Sequence, residues 1–338
     1  MIRTKTTVVV GAGAAVELEF PDARDILHKI GQSFDFQRLG TGLQTDDMQA
    51  FDALFKKVKG KDAALREAAV RLRAGSRLSS SLHALLQQLG DDQHVQAVGK
   101  LALAFFALQA EATSPMEEEP RDPGDLPLRG SENWLFQLAS LVVDGVPRAK
   151  AESCLDNLHI VNFNCDRAVQ HYMPWALRNA FGMDLTEAQS IVTEKLRIVQ
   201  PYGKAGRLDW QAGDEPAASW GDDDAKALFG VAEAIRTAGE FSESRAARAA
   251  LNGGLAQARR LLFLGFDFNP MDVALLFDER LAQAPETLVA LRQGEGPGPE
   301  AVTQLLARNA GIGADQIVTR ERTPCWTMLR DNMPLLGT

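Results

Sequence analysis

Five short runs of apolar or β-branched residues, spaced by long helical patterns, constrain the fold more than any other feature. They are Thr6–Val10, 159–163, 196–199, 261–264 and 316–319. Strands buried on both faces carry this nearly unbroken apolar character. Helix-forming patterns lie between them, at 132–143, 175–180, 187–195, 223–238, 244–259 and 273–284. Strand alternating with helix predicts an α/β fold on a doubly wound parallel sheet.

One interval is too long for a single crossover. Residues 11–158 separate the first two runs. Within it, Leu54, Val58, Leu65, Leu72, Leu82, Leu85, Leu86, Leu89, Val98 and Leu101 recur at helical spacing. This predicts an α-helical insertion over 46–128, closed by the acidic, proline-rich stretch "TSPMEEEPRDPGDLP". Residues 1–45 and 129–338 then form the Rossmann-like domain. A chain of 338 residues is long enough for one large domain with such an insertion.

The formal net charge is −9, which does not point to direct nucleic-acid or membrane binding. Residues 55–77 are a local exception, with Lys56, Lys57, Lys59, Lys61, Arg66, Arg71, Arg73 and Arg77 against Asp62 and Glu67. The run reads as a solvated helix face, or as a docking patch for an acidic partner or nucleic acid. Cys154, Cys165 and Cys325 are scattered and odd in number, which argues against a zinc ribbon or a disulfide framework and fits a reducing cytoplasm. Arg3 and Lys5 before an apolar run imitate a leader peptide, but Gly11 and Gly13 interrupt its core.

The four early runs end alike. They give way to Gly11-Ala12-Gly13, Asn164-Cys165-Asp166, Gln200-Pro201-Tyr202-Gly203 and Gly265-Phe266-Asp267. In an open parallel sheet the ligand crevice lies outside the carboxyl ends of the strands. The glycine turn is expected to aim free backbone N–H groups at a pyrophosphate. It is not a dehydrogenase fingerprint: Val16 replaces the third glycine, and no acid stands at a second strand end about 20 residues on. No Gly-x-Ser-x-Gly elbow, P-loop lysine or His-Glu-x-x-His occurs either.

These strand ends resemble those of sirtuin-type NAD-binding domains. Gly11-Ala12-Gly13 is followed by Pro21-Asp22-Ala23-Arg24, similar to the family's Gly-Ala-Gly and Pro-Asp-x-Arg. Asn164-Cys165-Asp166 looks like its Asn-x-Asp, and Gly265 like its fourth-strand glycine loop. The phrase "LLFLGFDFNPMDVALL" resembles the zinc-free bacterial branch more than the deacylating one. The helical segment lies outside the match.

The resemblance implies NAD as ligand or substrate and no zinc. It implies NAD contacts from Gly11, Ala12, Gly13, Pro21, Asp22, Arg24, Asn164, Asp166, Gly203, Gly265 and Asp267. The family's catalytic His-Gly reads Tyr202-Gly203 here, preceded by Gln200. Beside Asn164, the candidates for catalysis are therefore Tyr202 and Gln200, although a tyrosine with its usual pKa of about 10 is a poor base. Ala15 and Ala23 also depart from the family pattern. The expected activity is hydrolysis of NAD to ADP-ribose and nicotinamide, in the manner of antiphage effectors. A homo-oligomer or a protein partner is expected to dock through the helical insertion. The alternative is a catalytically silent NAD or ADP-ribose sensor, or a structural subunit of a larger complex. Residue by residue, plainer readings stand beside these. Asn164 and Asp166 suit a strand-end turn, and Asp22 with Arg24 suits a helix start. His171 and His159 read as packing groups, and His28, His83 and His94 lack metal-ligand spacing.

Overall fold

The computed structural model describes residues 2–122, 124–222, 224–291 and 296–337. Strand β1 (Thr6–Val10) runs into a single turn, α1 (Ala12–Ala15), and then α2 (Ala23–Ser33). Four helices follow: α3 (Asp46–Lys57), α4 (Asp62–Gly75), α5 (Leu82–Gln88) and α6 (Gln93–Thr113). Next come α7 (Trp134–Val143), β2 (Leu158–Asn162), α8 (Ala168–Phe181), α9 (Leu185–Lys195) and β3 (Arg197–Val199). Then α10 (Ala225–Ala234), α11 (Ala238–Glu243) and α12 (Arg245–Gln257) lead to β4 (Arg260–Leu264). The chain ends with α13 (Pro270–Leu276), β5 (Glu286–Leu291), α14 (Pro299–Asn309), β6 (Ile317–Glu321), α15 (Cys325–Asp331) and α16 (Met333–Leu336).

The six strands form one parallel sheet in the order β3-β2-β1-β4-β5-β6. Val10 pairs with Asn162 on one side and Leu264 on the other, so β1, β2 and β4 end at one level. The strand period of two sorts their side chains into two cores. Val9, Val161, Phe263 and Val289 face one core, with Phe51, Leu72 and Phe106 of α3, α4 and α6. Val8, Ile160, Leu262 and Leu288 face the other, with Leu138, Leu177 and Met328 of α7, α8 and α15. The fold is thus a Rossmann-like, doubly wound α/β sheet covered by helices on both faces.

Within the long β1–β2 connection, α2, α3, α5 and α6 start on side-chain caps. Asp22 accepts from the N–H groups of Arg24 and Asp25, while Asp25 accepts from the Asp22 N–H. Thr45, Ser81 and Asp92 cap α3, α5 and α6. Each satisfies N–H groups that a helix start leaves unpaired. Through α3–α6 this connection shares one continuous core with a face of the sheet.

Four elements differ from the sequence pattern. Strand β5 was not expected; its "ETLVAL" is rich in leucine and alanine, which a short apolar run shares with helices. Helix α8 is far longer than 175–180, because Pro174 lies inside it rather than before it. Helix α13 stops at Leu276, well before residue 284. The expected 223–238 helix is two helices, with Thr237 capping the second; Asp223 lies outside the described residues.

Candidate functional site

The glycines at the strand ends meet each other. The Gly11 N–H donates to the Leu264 carbonyl (3.0 Å) and the Gly13 N–H to the Gly265 carbonyl (2.9 Å). A Cβ on Gly265, whose φ is +58°, would lie 2.0 Å from the Ala14 nitrogen, and one on Gly11 would lie 2.5 Å from the Gly265 oxygen. The three glycines are therefore required by close backbone approach. The expectation that this turn presents free N–H groups to an anion is corrected for Gly11 and Gly13, whose donors are used within the protein.

Beside this junction lies a cavity of about 120 Å³, between the ends of β1 and β2, the start of α2, and α5 and α6. Phe20, Ile26, Phe106 and Phe163 give it apolar walls, and Asn164, Asp166 and His83 give it polar groups. A second recess of about 360 Å³ adjoins it and shares Ala12, Asp22 and Ala23. Gly13, Arg24, Asp267 and Asn269 also line that recess. It sits where the strand order turns from β1 to β4, the switch point at which open α/β sheets place ligands.

The structure therefore brings Ala12, Pro21, Asp22, Asn164 and Asp166 to the cavity, and Gly13, Arg24 and Asp267 to the recess. Gly11, Gly203, Gly265, Gln200 and Tyr202 line neither. The Asn164 Nδ2 donates to the Gly11 carbonyl (3.2 Å), which leaves its amide oxygen to accept. The backbone of this loop is fixed from both sides. Asn162 Oδ1 accepts from the Asn164 N–H (3.0 Å), and Asp166 Oδ1 from the Ala168 N–H (3.0 Å). Burial pushes the Asp166 carboxyl up to about 6, against the lowering effect of that N–H.

Gln200 braces the loop from behind. Its Nε2 donates to the carbonyls of Asn164 and Asp166 (both 2.9 Å), and its Oε1 accepts from Gln170 (2.8 Å). Tyr202 is buried, and its hydroxyl donates to Asp272 Oδ1. Burial, with the Asp272 charge beside it, drives its pKa strongly upward, so Tyr202 is a neutral donor and not a base.

The sequence reading passed over the residue in front of Tyr202. His83, in the first turn of α5, stacks on the Tyr202 ring at 3.7 Å between centroids and 13° between planes. It lines the cavity with Asn164, and its Nε2 is 3.9 Å from Cys165 Sγ. Its Nδ1 is buried with no hydrogen-bond partner among the described residues. Burial lowers its pKa to about 3, so the ring is a neutral imidazole at physiological pH. Burial also raises the Cys165 thiol to about 12, which removes it as a nucleophile. His171 stacks on Trp220 (4.0 Å) and its Nε2 contacts the Glu117 carbonyl (2.8 Å), a packing role.

Behind the wall, a polar chain joins the two spaces. Tyr202 donates to Asp272, and Asn269 Nδ2 donates to Asp272 Oδ2 (2.6 Å) and to Asp267 Oδ1 (2.9 Å). Burial raises the Asp272 carboxyl to about 7. The folded chain thus holds a proton there that the unfolded chain has already lost. Stability from this group is full below about pH 4 and is lost as pH rises through about 7. Asp272→Asn is expected to flatten that decline, whatever it costs overall. Urea unfolding of both proteins at roughly pH 5 and pH 8 checks this: the stability of the wild type relative to the variant should fall by on the order of a few kcal/mol between them, the buried histidines that titrate in the same range cancelling in the difference.

Comparison with protein-family models and with curated proteins finds no match to this chain. No helix among the described residues is long and apolar enough to cross a membrane.

Proposed function

We propose that the chain binds NAD across the cavity and the recess and hydrolyses its nicotinamide–ribose bond. The observation that carries this reading is the meeting of Asn164, Asp166 and His83 in one apolar-walled cavity at the strand ends. Such a cavity suits a flat aromatic ring, with a few polar groups to orient it. His83 adds a neutral imidazole to the cavity wall, and its buried Nδ1 has no partner among the described residues.

The reaction breaks the C1′–N bond and develops positive charge on the ribose. Water adds at C1′, its proton is released, and nicotinamide leaves. Asn164 would hold a ribose hydroxyl or the attacking water through its amide oxygen. His83 would accept a hydrogen bond from the same group as a neutral imidazole, which does not repel the developing cation. Asp267 would reach a ribose hydroxyl in the recess. Positioning of this kind lowers the barrier substantially without a strong base.

A fluorogenic etheno-NAD tests the proposal. The wild-type chain should turn it over, alone or once assembled with a partner, and Asn164→Ala should lose at least ~10²-fold in rate. Saturable NAD binding without turnover under every condition would instead favour the sensor. Tyr202 and Gln200, both committed to internal hydrogen bonds, favour that second reading.

A further inference from the structure

The basic stretch over residues 55–77 does not form one face. Lys56 and Arg66 both pair with Asp52, and Arg71 reaches Asp92 (3.0 Å) and Glu67 (3.8 Å). Arg73 turns inward to Asp35 (2.7 Å) and to the Gly31 carbonyl (3.2 Å). What remains is a cleft of about 520 Å³ between α2 and the C-terminal end of α4. Arg24, Arg38, Arg73 and Arg77 line it, with His28. Its one lining carboxylate, Asp35, is already shared between Arg38 (2.9 Å) and Arg73. The nearby Asp25 caps α2 by accepting from the Asp22 N–H. Arg24 and Arg77 are exposed and have no carboxylate partner among the described residues.

Four guanidinium groups around one carboxylate concentrate positive charge in a chain whose net charge is −9. Arginine forks match phosphate oxygens in pairs, which makes this set a phosphate site by chemistry. Its place narrows the ligand. Arg24 and Ser79 line both the cleft and the recess that holds Gly13 and Asp267. A nucleotide in the recess can therefore extend a phosphate into the cleft.

We propose that the cleft binds a phosphomonoester carried on the non-reacting end of the dinucleotide, so that a phosphorylated dinucleotide binds better than the plain one. This rests on the reading of cavity and recess as a dinucleotide groove. The cleft itself is testable without it.

The test is calorimetric titration of NAD⁺, NADP⁺ and inorganic pyrophosphate into the wild-type chain and into Arg77→Glu, a change at an exposed side chain outside the recess. The wild type should bind NADP⁺ roughly tenfold more tightly than NAD⁺, and raised salt should erode the difference. Arg77→Glu should abolish the preference and leave NAD⁺ affinity unchanged. Equal binding of the two dinucleotides, with pyrophosphate binding that Arg77→Glu removes, would keep the phosphate site but make its ligand a free phosphate rather than part of the dinucleotide. Pyrophosphate binding lost in Arg77→Glu, in a chain that ignores both dinucleotides, would sink the proposed function and keep the cleft. Identical behaviour of the two proteins toward all three probes overturns the proposal.

Discussion

Arg167→Leu should lose about 3–5 kcal/mol of stability, a large part of what a domain has. Arg167 and Glu111 are both completely buried and paired, with Arg167 Nε 3.0 Å from Glu111 Oε1. Arg167 also donates to the carbonyls of Ala218 (2.6 Å), Ser219 (3.0 Å) and Arg207 (3.3 Å). Glu111 accepts from the Gly221 N–H (3.2 Å). Removing the arginine strands a carboxylate and the Ala218 carbonyl in the interior, while the Arg207 and Ser219 carbonyls keep the N–H groups of Ala218 and Asp222. Removing the carboxylate strands a guanidinium. Glu111→Leu should therefore cost a similar amount, and the double variant clearly less than the sum. Urea unfolding of the three variants measures this. Single variants within about 1 kcal/mol of wild type would contradict the account. The pair matters to the site because Arg167 follows Asp166 directly, at the entry to α8. It ties the Asn164–Asp166 loop to α6 and to the loop after β3.

His83→Ala should lower the proposed NAD turnover roughly 10²-fold, because on that proposal it removes a preorganised acceptor from the reacting centre. The alternative is that His83 only packs against Tyr202. The two are separable, because His83→Phe keeps a ring on Tyr202 but has no acceptor. If the acceptor matters, Phe and Ala should depress kcat alike, with a much smaller change in KM. A wild-type rate in His83→Phe would reduce His83 to a packing group.

The sheet was legible because its strands are short apolar runs, and the strand ends were legible because glycine and polar residues follow at once. Strand β5 was hidden by helix-forming residues, and the true length of α8 by Pro174. The glycines carried a real signal with a different cause: they allow β1 and β4 to approach, rather than exposing N–H groups. His83 had no sequence signal of its own. It comes from the long helical connection, obeys no motif spacing, and enters the cavity only because Ser81 starts α5 beside Tyr202. The Asp272 network left a trace, since Asn269-Pro270-Met271-Asp272 is a helix start in which the cap and the third residue bind each other.

The most direct measurement is the calorimetric titration of NAD⁺ into the wild-type chain and Asn164→Ala. The account predicts saturable one-site binding to the wild type, weakened at least ~10-fold in the variant by a lost hydrogen bond at the cavity floor. No binding to the wild type, or equal affinity in the two, would contradict it.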